Sequence, residues 1–118
     1  MLLTLTTRIC EPDILVIELT GRITLGREVS HVEDTVMKAV EEGSRKIVMD
    51  IAGVHHIDSA GLGMIAFSFG KVTKEGGRFF LAGATGNVLD VFLTTHLDSV
   101  IPLLPSVDAA CAAAKQAA

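Results

Sequence analysis

Residues 47–63, IVMDIAGVHHIDSAGLG, decide how this chain folds. The run from Lys46 to Ile51 is apolar except for its first residue and Asp50, the composition of a strand buried on both faces. Residues 52–57 read as a connecting loop. Asp58-Ser59-Ala60-Gly61-Leu62-Gly63 then opens a helix that carries Leu62, Ile65, Phe69 and Val72 on one face and closes at Gly76 and Gly77. A strand feeding a helix in this way is the building unit of a helix-covered sheet.

Working outward, period-two and continuous apolar runs place further strands at 2–9, 14–19, 79–83 and 100–104. Val29, Val32, Val36 and Val40 recur at helical spacing among Glu, His, Asp, Thr and Lys and stop at Gly43, which predicts an amphipathic helix. Another helix is expected over 87–95, and a last one from Ser106, as N-cap, through the Ala-rich tail. The order is two strands followed by alternating helices and strands. That order predicts an α/β fold whose sheet is parallel in its later part, with the first two strands forming a hairpin around Glu11, Pro12 and Asp13.

The chain has 118 residues, one domain's length, and we read 1–118 as a single domain. With 49% hydrophobic and 20% charged residues it has ample material for a core. A net charge of −4 and the lack of Trp and Tyr argue against direct nucleic-acid binding, which needs a basic field and stacking aromatics. The opening MLLTLTTRIC has no basic region ahead of its apolar residues and soon alternates with Thr, so it reads as a strand and not as a signal peptide. No window approaches eighteen uninterrupted apolar residues, so membrane insertion is not expected and a cytoplasmic location is. Cys10 and Cys111 lie near opposite ends, without a CxxC or a zinc-type cluster, and are expected to be reduced, buried small hydrophobes.

The Asp58–Gly63 segment resembles the STAS domain, the anti-sigma factor antagonist family, whose hallmark is a strand, a short loop and an Asp-Ser-Ser/Thr-Gly-Leu/Ile-Gly motif. The likeness extends to the Gly21-Arg22-Ile23 turn, the Gly76-Gly77 turn, the Thr95-His96-Leu97-Asp98 segment and the terminal helix. It implies a single STAS-like domain with a mixed sheet of about five strands and about four helices. It further implies phosphorylation at Ser59 by a partner that is both serine protein kinase and anti-sigma factor, with a phosphatase reversing the mark. The unmodified form would bind the anti-sigma factor and so free a sigma factor. Asp58, Gly61, Leu62, Gly63 and Thr24 match the partner-binding positions. The chain departs from the family pattern at two of its positions. Ala60 replaces the frequent second hydroxyl, leaving Ser59 the sole acceptor in the motif. Thr24 stands where many members carry an acid that faces the kinase.

Elementary chemistry supports the same residues. A Ser at a helix start can accept a first-turn N–H, and the positive end of the helix dipole suits a phosphate. Gly61 and Gly63 lack a Cβ and let another surface approach, with Leu62 as an apolar contact. A phosphate adds about −1.5 to −2 charges at pH 7, enough to oppose a close interface. The plain alternatives are a Ser that only caps, glycines that only pack, and loop histidines, His55 and His56, that are merely solvated and hold no metal.

Among rival functions, Gly61-Leu62-Gly63-Met64-Ile65-Ala66 fits the GxGxxG/A dinucleotide fingerprint. That fingerprint should follow its strand directly, whereas residues 52–58 intervene here, and residues 84–89 after the next strand hold no acid for a ribose. A serine hydrolase is disfavoured because Ser59 lacks the first Gly of a nucleophile elbow. A small nucleotide-binding domain therefore ranks below a non-switching STAS scaffold or transporter-associated subunit. Both rank below a phosphorylation-gated, protein-binding regulator with no catalytic residues and no cofactor.

Overall fold

The second strand, ILVIELTGRI, buries Ile14, Val16, Ile17, Leu19, Gly21 and Ile23 and anchors the sheet. The computed structural model describes residues 3–116, so Leu2 of the expected first strand and the last two alanines lie outside the described residues. The elements are β1 (Thr4–Cys10), β2 (Ile14–Ile23), α1 (Arg27–Glu41), β3 (Lys46–Ile57), α2 (Ser59–Lys74), β4 (Arg78–Ala82), α3 (Gly86–Thr94), β5 (Leu103–Leu104) and α4 (Val107–Gln116). A 3-10 turn, Leu97–Ser99, precedes β5.

The five strands lie in chain order, with β1 antiparallel to β2 and every later pair parallel. The sheet steps in one direction through helical crossovers, which share one hand. Accordingly α1, α2 and α3 bury Val32, Val36, Met64, Ile65, Val72, Val88 and Phe92 in one cluster with Ile17, Leu19, Met49, Ile51 and Leu81 of the strands. Phe69 meets Phe79 edge to face at 6.2 Å between ring centres, a favoured aromatic geometry. The opposite face is covered by α4, whose Ala110, Cys111 and Ala114 pack on Ile14, Val16, Val48 and Phe80. The Ser106 hydroxyl accepts the Ala109 N–H at 3.1 Å, the expected cap.

Three boundaries differ from the sequence reading. β2 continues past Leu19 to Ile23, so Gly21-Arg22-Ile23 is strand and not a turn. Residues 52–57 are strand and not loop, because β2 runs on to Ile23 and keeps pairing with β3. Thr20 pairs with Gly53 where an even ladder would give Ala52, and Arg22 pairs with His56 one residue late again. Each extra residue is a bulge that resets the alternation of faces, so the period-two signal disappears while the strand persists. At the other edge β5 is only Leu103–Leu104, because Pro102 has no N–H to donate to a ladder. Its carbonyl still accepts from Leu81.

Candidate functional site

At the end of β3 the chain turns into α2 at Asp58, and Asp58, not Ser59, is the N-cap. Its backbone is extended, and its carboxylate Oδ1 accepts the Gly61 N–H at 2.9 Å. The other oxygen, Oδ2, accepts the Leu25 N–H at 3.0 Å, while the Asp58 N–H donates to the Ile23 carbonyl at 3.1 Å. The turn after β2 is thus clamped to the start of α2, and Thr24 sits between the two residues that hold the clamp. The Gly61 N–H, then the Leu25 N–H, with help from the Ala60 N–H and nearby His56, hold the Asp58 carboxyl below its ordinary 3.8. Hydrogen bonds to the charged form have this sign.

This arrangement corrects the expectation that Ser59 caps the helix and that a phosphate would sit on free N–H groups. Ser59 is the first helical residue and is exposed. The Gly61 N–H already serves the Asp58 carboxylate, so a phosphate on the exposed Ser59 would stand beside a like charge.

The remaining predicted residues divide. A Cβ on Gly61 would stand 2.5 Å from the Ile23 carbonyl oxygen and 2.7 Å from Ile57 Cγ1. Gly61 is buried, so its missing side chain lets α2 close on its own sheet and does not open a surface to a partner. Gly63 is the reverse, exposed with nothing within 4 Å of an added Cβ. Leu62 is half-buried and leans on the core, and Thr24 is half-buried at the clamp. Two exposed apolar residues near the start of α2 were missed by the sequence reading. Leu25 is 83% exposed beside the Asp58 clamp, and Phe67, one turn beyond Gly63, is 40% exposed. A lone Leu between Thr and Gly carries no periodic signal, so only its placement against Asp58 identifies it.

His55 and His56 line separate cavities, of about 300 Å³ with Thr85, Gly86 and Asn87 and about 260 Å³ with Asn87, Val88 and Val91. The dinucleotide reading fails on geometry as well as on spacing. The first Gly of that fingerprint is packed under Ile23 and Ile57, and the helix end that would take a pyrophosphate carries the Asp58 carboxylate.

Residues 8–110 match the model of the STAS domain. The chain belongs to the STAS domain family. It is 31% identical over 78 residues to BtrV of Bordetella bronchiseptica, a protein named as a candidate anti-sigma factor antagonist, covering 66% of this chain and 67% of that protein. Its fold is similar to that of an anti-sigma factor antagonist from Mycobacterium paratuberculosis, with a TM-score of 0.84 and 25% identity over 97% of this chain and 95% of the other. It shares the fold of the Bacillus cell fate determinant SpoIIAA in its phosphorylated form, with a TM-score of 0.75 and 17% identity over 93% and 98% of the two chains. Within the STAS frame, Asp58 and Ser59 occupy the β3–α2 junction. Among the described residues no helix is long and apolar enough to cross a membrane.

Proposed function

We propose that this STAS domain is a phosphorylation-gated, protein-binding regulator that acts as an anti-sigma factor antagonist in the cytoplasm and has no catalytic activity of its own. The observation that carries the reading is the division of labour between Asp58 and Ser59. Asp58 supplies the cap and the clamp to Leu25, which leaves the Ser59 hydroxyl exposed and without a capping duty. A hydroxyl so placed can be modified without cost to the helix.

The partner is an anti-sigma factor that is also a serine kinase. It reads Ser59, Gly63 and the exposed Leu25, with Thr24 and Asp58 beside them, and a phosphatase restores the unmodified form. Phosphorylation places a second negative group next to Asp58. The two charges face a surface that must desolvate on binding, and an unpaired charge buried in an interface costs several kcal/mol.

The test begins with recovery of the partner from native lysate on unmodified protein, followed by incubation of the pair with ATP. The expected results are an ATP-binding kinase of the histidine-kinase-like fold, phosphate on Ser59 alone by mass spectrometry, and release of the partner from the modified protein. Phosphate on Thr24 or Ser68 with Ser59 clean would overturn the reading.

A further inference from the structure

The fold brings together two residues that the sequence sets far apart. Cys10 ends β1, an edge strand held by β2 alone, and pairs with Ile14. Ile14 belongs to the cluster beneath α4, so Cys10 points to the same side of the sheet. Cys111 is buried in α4 within that same cluster, and Cys10 packs against it from the half-buried rim. Both thiols are free and Cys111 is buried as expected, whereas Cys10 is only half-buried. The two thiols share the cluster between α4 and the sheet, and Cys10 is reachable from solvent at its rim. Burial, followed by the adjacent Cys10 thiol, pushes the Cys111 thiol up to about 11, which agrees with the two sulfurs facing each other in a largely apolar setting.

We propose that Cys10 and Cys111 are a covalent modification site, forming an intramolecular disulfide with a low-molecular-weight disulfide as oxidant. The half-buried Cys10 reacts first because the reagent can reach it, while Cys111 is 4% exposed. The Cys10 thiolate attacks one sulfur of the reagent, breaks its S–S bond and expels a thiolate, leaving a mixed disulfide on Cys10. Cys111 gives its proton to the expelled thiolate and attacks the Cys10 sulfur, forming the protein S–S bond and expelling a second thiolate, which takes up the proton that Cys10 released to solvent. The two protein thiols lose two electrons, and the reagent disulfide gains them as two thiols. The high proton affinity of Cys111 disfavours its thiolate, and the proximity of its target offsets this by making the second step intramolecular.

The product staples the edge strand to the terminal helix. It closes a loop spanning most of the chain, and loops of that length restrict the unfolded state most strongly. The site lies on the α4 face of the sheet and does not depend on Ser59.

The experiment treats the folded, full-length protein with excess oxidised glutathione and alkylates residual thiols with N-ethylmaleimide. The expected product has the intact mass less two hydrogens, carries no glutathione or maleimide, and yields a peptide linking Cys10 to Cys111. Its thermal midpoint should exceed that of the reduced protein and return to it with dithiothreitol. In the same treatment C111A, a small change in an Ala-rich helix, should stop at one glutathione on Cys10. The proposal is overturned if the wild-type protein ends with a stable glutathione on Cys10 and an alkylatable Cys111, or as a disulfide-linked dimer.

Discussion

Two backbone N–H groups from different parts of the chain, those of Gly61 and Leu25, end on the carboxylate of Asp58 and lower its pKa from 3.8. A carboxyl whose folded value is depressed adds stability that is complete above its unfolded value and is lost as pH falls through the folded value. Asp58→Asn should therefore flatten the loss of stability below about pH 4, read as urea midpoints at pH 7 and pH 3 for both proteins. An unchanged pH dependence would remove the clamp from the account. Ser59 behaves differently because it caps nothing. Ser59→Ala should leave the unfolding free energy within about 0.5 kcal/mol, where loss of a true cap costs roughly 0.5–2 kcal/mol. Ser59→Asp should stay folded and lose on the order of a hundredfold in affinity for the partner kinase. If Ser59→Ala proved the less stable of the two and also failed to bind, Ser59 would be structural after all.

The two glycines of the α2 start make an element-scale comparison, since each is replaced by the same methyl group in the same helix. In Gly61→Ala the new Cβ collides with the Ile23 carbonyl, part of a sheet that cannot move cheaply. The expected cost is about 1–3 kcal/mol. In Gly63→Ala it enters open space, and better helix propensity should stabilise the fold by about 0.5–1 kcal/mol. Chemical denaturation of the two variants should thus give opposite signs. Equal destabilisation would mean that Gly63 also packs, and would remove it from the proposed partner surface. The existence of both glycines at a helix start was legible in the sequence, but their roles were not. Which Gly faces the sheet depends on the helix rotation, and that rotation is set by Ile23 and Ile57. The β3 extension was hidden for a related reason. Its two bulges cancel the alternation that marks a strand, although the hydrogen-bonded ladder continues.

At the scale of the whole molecule, Gly61 is packed against a sheet covered on both sides, and the Asp58 carboxylate occupies the start of α2. Titration with NAD or ATP, followed by calorimetry, should show no saturable binding at micromolar concentration. A saturable isotherm would contradict both the Gly61 packing and the Asp58 cap. The architecture that produces this arrangement was readable in advance. Apolar runs separated by amphipathic helices, with one early hairpin, require a mixed sheet with helices packed on it. The division into a large face under α1, α2 and α3 and a small one under α4 follows from strands adjoining in chain order.

By itself the sequence determined the element types, their order and the position of the Asp58–Gly63 motif, because periodicity and capping residues are local properties of the chain. Tertiary structure decided which of two adjacent residues caps α2, which glycine is buried, and that Leu25 joins Asp58 and Ser59. It also decided that Cys10 meets Cys111. Each of these depends on contacts between segments far apart in the chain. Such contacts arise only when helix rotation and strand register are settled together by packing of the common core.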